Sequence, residues 1–250
     1  MESFPVLREI LRRITHEDSV YRSPTDMGVN RAGFAITNDA AVREAAKQEI
    51  IRRYFRYSCE YAMGMSTHQT VDRVEMLMKE FDIGPQDRPV VEPAHRAARD
   101  AAEAADKGNK GVFAGAAIML PDGSVVTGRN SPLMHSASSL VLNAIKHLAG
   151  IPHQLHLLSP NIIESIGSLK TDVLGRKTVS LDLEETLIAL SISSTTNPTA
   201  RLAMAKLKEL RGCEVHTTHI PTPGDEMGLR RLGVNLTSDP SFATKDLFVG

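Results

Sequence analysis

An Asp-Gly pair set between two apolar runs constrains this chain more than any other feature. Residues 112–120 and 125–128 flank Pro121-Asp122-Gly123, and Asp-Gly in that setting is the strongest short-range signal for a β-hairpin, because the tight turn needs backbone angles that glycine adopts freely. A polar loop, Arg129-Asn130-Ser131-Pro132, follows. Then Ala137, Leu140, Val141, Ala144, Ile145 and Leu148 recur at helical spacing up to Gly150, where a helix end is expected. Residues 112–150 therefore read as strand, turn, strand, loop, helix.

The rest of the chain is arranged around this unit. Val6, Leu7, Ile10, Leu11 and Ile14 form a short apolar stripe almost at the first residue. Residues 21–34 are dense in Ser, Pro, Asp, Gly and Asn, which hydrogen-bond their own backbone, so a structured loop is expected there. A long helix follows Asn38 or Asp39, with Val42, Ala46, Ile50, Tyr54, Tyr57 and Tyr61 on one face. A second runs from Thr67 through Val71, Val74, Leu77, Met78 and Phe81 to Gly84-Pro85, and the two read as a helical hairpin. Residues 93–108 are Ala-rich, with good helix propensity and little to bury. Downstream, Ser159-Pro160, Asp182 with Glu185, and Asn197-Pro198 each open a helix. Residues 213–220 read as a strand, and residues 225–232 as a short helix before a polar tail. The expected class is α/β (α+β) in three parts: a mainly helical subdomain at 1–92 with the structured loop 21–34, an Ala-rich helical connector at 93–111, and an α/β subdomain at 112–250.

Charge and motifs narrow the function mainly by exclusion. Twenty-nine basic and 30 acidic residues leave a net charge of −1, so neither nucleic acid nor a membrane surface is expected as the main partner. Cys59 and Cys213 are far apart in the chain and form no Cys-x-x-Cys, and no run approaches the roughly 20 apolar residues of a spanning helix. A reducing cytoplasm is the expected compartment. His-Glu-x-x-His, Gly-x-Ser-x-Gly and a phosphate loop ending in Gly-Lys-Ser/Thr are all absent from the sequence. His153/His156 and His216/His219 share an i, i+3 spacing, but the second pair falls in a strand, where odd separations face opposite ways. No metal site is expected, and no cofactor is assigned.

The hairpin followed by a helix with polar groups at its start is similar to the layout of the cytidine-deaminase-like proteins, which carry His-x-Glu at that helix start and Pro-Cys-x-x-Cys later. Here the corresponding run is His135-Ser136-Ala137-Ser138, with no glutamate and no cysteine pair. The resemblance therefore implies a three-layer deaminase-like α/β subdomain without the zinc motif and without deamination chemistry. A helix start is still an anion site by default, through its unpaired N–H groups and the positive end of its dipole. Arg129, Ser131, Ser136 and Ser138 would strengthen it, and Thr25, Asp26 and Asn30 in the rigid loop 21–34 could complete a site. Capping serines, a plain turn and a solvated arginine account for the same residues.

Four stretches resemble a bacterial family, domain of unknown function 1846: Ser23-Pro-Thr-Asp-Met-Gly-Val-Asn-Arg-Ala-Gly-Phe, Ala46-Lys-Gln-Glu-Ile-Ile-Arg-Arg-Tyr, Asp87-Arg-Pro-Val-Val and Leu120-Pro-Asp-Gly. The likeness runs over essentially the whole chain. It implies that the chain corresponds to the C-terminal half of longer members, with the N-terminal half of the same protein as its partner. It carries over no catalytic residue. Two functions are open: part of a small-molecule enzyme binding an anionic or nucleotide-like ligand, or a non-catalytic assembly module whose Tyr54, Tyr57 and Tyr61 face packs on another domain or in a homo-oligomer.

Overall fold

The computed structural model describes residues 39–104 and 106–243. The chain forms two compact units, Met1–Glu49 and Ile50–Gly250. Of the first, only residues 39–49 are described, within α1 (Asp39–Ala62). The stripe at Val6–Ile14 and the loop 21–34 lie outside the described residues. Eight α-helices and one four-stranded sheet make up the described residues.

In the second unit, Ile51 and Phe55 of α1 form a small core with Val74 and Met78 of α2 (His68–Glu80) and Val91 at the start of α3 (Val91–Glu103). Tyr54 and Tyr57 pack on this core, so these two rings are committed within the unit. Tyr61 is exposed and meets the ring of His68 edge-on at 5.3 Å.

The hairpin consists of β1 (Gly115–Met119) and β2 (Val125–Arg129), antiparallel and in register Ala117 to Thr127. Gly123 takes φ 84° in the turn, which Leu120 N–H closes onto the Ser124 carbonyl at 2.8 Å. The strand order is β2-β1-β3-β4, where β3 is Glu214–Thr217 and β4 is Asn235–Ser238. β1 is antiparallel to β2 and β3; β3 is parallel to β4, reached through α8 (Pro223–Leu232). The expected polar tail is thus corrected: it contains an edge strand.

Side chains alternate across the sheet. Ala117, His216 and Thr237 stand in one row across β1, β3 and β4, and Ala117 packs with Val90 and Ala94 on the α3 side. Ile118 and Val215 join the main core with α4 (Ser136–Leu148), α6 (Leu183–Ser193), α7 (Pro198–Ala205) and α8, through Leu140, Ile145, Leu183, Leu190 and Leu229. α5 (Pro160–Ser168) runs on into a wide turn at Leu169–Val173.

The Ala-rich run has more to bury than its composition announces. Ala94, Ala97 and Ala101 are buried, because α3 lies on the hairpin at close range: a Cβ added at Gly115 would stand 2.2 Å from the Ala94 carbonyl oxygen. Small residues on both sides allow that approach. The chain stops are as expected. Asp182 and Glu185 exchange backbone and side-chain hydrogen bonds at the start of α6, and Asn197 caps α7. At the end of α4 the Gly150 and Ile151 amides return to the carbonyls of His147 and Lys146.

Candidate functional site

The start of α4 is tied to the segment before α6. The His135 amide and the Ser138 hydroxyl both donate to the Leu181 carbonyl, at 2.9 and 3.1 Å. Asp225, 5% exposed, joins the starts of the two helices: its Oδ2 is 2.7 Å from His135 Nδ1 and accepts the Thr222 hydroxyl, and its Oδ1 accepts the Leu183 amide, the first of α6. Ser138 is fully buried and so occupied, and Ser136 is the half-buried first residue of the helix.

Burial alone would lower the pKa of His135, but the hydrogen bond and charge of Asp225, with Asp182 behind it, raise it above the ordinary value. The proton is therefore held more tightly in the folded state, and its contribution to stability is full below the unfolded pKa of about 6.5. It is lost as pH rises through the raised folded value. We expect the difference in melting temperature between the native chain and His135→Gln to shrink as pH rises from about 6 to about 9; a constant difference across that range would show the pair uncoupled from folding.

Arg129 and Ser131 belong to a different feature, a cleft of about 410 Å³ beside α4. Its basic lining is Lys107, Arg129, Lys146, His153 and His156, its other polar lining Ser131, Ser139 and Asn143, and among the described residues no carboxylate lines it. Ser139, Asn143 and Lys146 come from one stripe of α4, spaced by four and three residues so that they share a face. Arg129 ends β2, and the two histidines come from the loop after α4. Asn130 anchors the rim: its side chain accepts the Ala114 amide at 2.8 Å and donates to the Val112 carbonyl at 2.9 Å. Asn143 Nδ2 donates to the Thr127 carbonyl, tying α4 to β2. Ser131 Oγ accepts the Leu133 and Met134 amides at 3.3 Å, a local turn.

Lys146 is 8% exposed, its Nζ donating to the His153 carbonyl at 3.2 Å. Burial lowers its pKa. A largely buried ammonium beside a carbonyl, facing a cleft that no carboxylate lines among the described residues, gains from any anion that enters. Lys107 pairs with exposed Asp106 at 2.7 Å, a surface contact weak enough to yield to a better partner. Leu142, Leu157, Leu158 and Ile163 form the apolar wall. The volume lies within the roughly 300–1,000 Å³ of small-molecule sites.

Of the residues expected at a ligand site, the structure brings Arg129 and Ser131 together in the cleft lining; Ser136 and Ser138 are not among its lining residues, and Ser138 is bonded to the Leu181 carbonyl. Thr25, Asp26 and Asn30 lie outside the described residues. Lys107, Asn143 and Lys146 escaped the sequence reading, which weighed His153 and His156 only as a metal-binding pair. The one available signal was the polar stripe Ser139, Asn143, Lys146 on an otherwise apolar helix.

One group among the described residues has the donors to hold a metal ion: His95, His216 and Asp239, with ligand atoms all within 4.8 Å of one another. Burial lowers the pKa of His216, helped by His95 and Arg88 and opposed by Asp239. No helix among the described residues is long and apolar enough to cross a membrane.

A family model described as "Domain of unknown function DUF1846, C-terminal" matches residues 86–248, and one described as "Domain of unknown function DUF1846, N-terminal" matches residues 1–82. A UPF0371 protein of Clostridium botulinum (strain ATCC 19397 / Type A) is 47% identical over 248 residues, 99% of this chain and 49% of the relative. A UPF0371 protein of Clostridioides difficile (strain 630) is 46% identical over the same length and shares. The chain spans about half the length of the curated relatives it matches. The match at 1–82 overturns one expectation: the N-terminal family domain is represented within this chain, so an N-terminal half as a separate partner is not supported.

Proposed function

The chain belongs to the DUF1846 family, and we propose that it binds a small phosphate-bearing or nucleotide-like anion in the cleft beside α4, as part of a small-molecule enzyme. The observation that carries this reading is the composition of the wall: three cationic side chains and two histidines converge from four segments, and among the described residues the carboxylate beside them, Asp106 on Lys107, is exposed and outside the lining. Arg129 supplies a planar fork suited to two phosphate oxygens, and Lys146 a point charge on a largely buried side chain. Ser139 and Asn143 add neutral hydrogen-bonding groups, and the leucines offer an apolar surface to a sugar or base. The reaction is left unassigned.

The same proposal takes residues 112–250 as a deaminase-like layout without the zinc motif. Its support is the β1–β2 hairpin followed directly by α4, and the absence of cysteine at the start of α8. The assembly-module alternative has less support, because Tyr54 and Tyr57 are already packed within their own unit.

Thermal unfolding of the full chain at constant ionic strength tests the reading, with inorganic phosphate, nucleoside mono- and diphosphates, and sugar phosphates against chloride. A ligand at 100 times its dissociation constant adds about 2.7 kcal/mol, an easily measured rise in melting temperature. Equal melting in chloride and in every phosphate would reject the proposal.

A further inference from the structure

On the α3 face of the sheet, the carboxyl ends of the parallel strands β3 and β4 bring His216 and Asp239 side by side, and α3 holds His95 over them. His216 is fully buried, with the Phe55 ring 4.8 Å away and the His95 ring 5.8 Å away, edge-on. Its Nδ1 lies 2.9 Å from Thr237 Oγ1. That hydroxyl also lies 3.1 Å from the Val215 carbonyl and accepts from Arg88 Nε at 2.9 Å. With the proton of the neutral ring on Nδ1, donated to Thr237, the Nε2 lone pair faces Asp239.

Nε2 has no hydrogen-bond partner although it is buried, and it stands 3.3 Å from Asp239 Oδ1. In that tautomer two acceptors face each other across the gap, which a cation would bridge. The other oxygen, Asp239 Oδ2, is 2.7 Å from His95 Nε2. A first-row divalent cation bound at about 2.0–2.2 Å to nitrogen and oxygen sets neighbouring ligand atoms roughly 3.0–3.5 Å apart, the spacing that His216 and Asp239 already have. Two imidazoles and one carboxylate, with positions left open, form a ligand set used by zinc and non-haem iron sites. The side chains of His95 and Asp239 are 36% and 24% exposed, which gives an ion a way in.

We propose that His95 Nε2, His216 Nε2 and Asp239 hold a first-row divalent transition-metal ion, with Thr237 fixing the His216 tautomer from behind. The backing hydroxyl is the kind of outer partner that orients ligating histidines. This departs from the expectation of no metal site, which weighed only histidines close in sequence; His95 and Asp239 are 144 residues apart.

The test uses the metal-stripped full chain, titrated with Co2+ by visible absorption and with Zn2+ by equilibrium dialysis, with Mg2+ as comparison. One equivalent of Co2+ or Zn2+ is expected to bind, and Mg2+ is not. His95→Gln and Asp239→Asn are each expected to weaken binding by more than the roughly 100-fold that loss of an outer partner costs, and His219→Gln to leave it unchanged. A readout free of substitutions is the rate at which diethyl pyrocarbonate modifies His95, expected to fall when Co2+ is bound. No uptake, unchanged affinity in a folded His95→Gln or Asp239→Asn chain, or a His95 modification rate indifferent to Co2+ would overturn the site.

Discussion

Replacing Arg88 with methionine is expected to cost about 3 kcal/mol or more, the lower end of the 3–5 kcal/mol range for breaking a buried ion pair. Arg88 is fully buried, and its guanidinium is a junction. Nε donates to Thr237 Oγ1, Nη2 donates to the Val215 and Asn235 carbonyls at 3.2 and 2.7 Å, and Nη1 lies against Glu214 Oε2. One side chain thus binds both parallel strands. Methionine fills similar volume but leaves two carbonyls without that donor and Glu214 with Arg52 at 3.1 Å and Asn235 Nδ2 at 2.8 Å. The 17% exposure of Glu214 and those remaining partners hold the estimate to the low end. Urea unfolding at unchanged m-value measures the loss; a cost under about 1 kcal/mol would mean that the β3–β4 pairing does not depend on this arginine. Lysine should restore only part, because one ammonium cannot reach acceptors arranged for a fork.

Gly128→Ala should cost about 3 kcal/mol, at the upper end of overpacking effects. A Cβ there would stand 2.3 Å from the Leu140 amide nitrogen and 2.5 Å from the Ser136 carbonyl oxygen. Both are backbone atoms of α4, so no rotamer change relieves the clash; the helix must lift from β2. Lifting α4 carries Asn143 and Lys146 away from Arg129, so phosphate affinity should fall together with stability, by tenfold or more for about 1.4 kcal/mol of lost binding energy. An alanine variant with native melting would show that α4 and β2 can separate freely, against the close approach described above.

What could be read in the chain follows from how local each signal is. The Asp-Gly turn, the α4 stripe, the Asp182–Glu185 capping box and the Asn197 cap are made by residues within a few positions of one another, and each lies where the sequence placed it. β4 was hidden because its residues are chiefly polar: Thr237, which a free-standing reading assigns to solvent, is buried against Arg88 and His216. The burial of α3 was hidden because alanine carries little apolar surface, and only Gly115 opposite lets that surface touch. Asp225, 90 positions from His135, pairs with it at the start of α4, a contact no local pattern announces. The cleft beside α4 likewise draws its cations from segments no periodicity connects.

The central claim is that the wall beside α4 recognises an anion through Arg129 and Lys146. Isothermal titration of the native chain and of Arg129→Gln/Lys146→Met, with the tightest-binding of the phosphate compounds tested, bears on it most directly. The double variant is expected to melt near the native temperature and to bind at least about 100-fold more weakly, two charge-assisted contacts of about 1.5 kcal/mol each. Equal affinity in the two folded chains would contradict the claim.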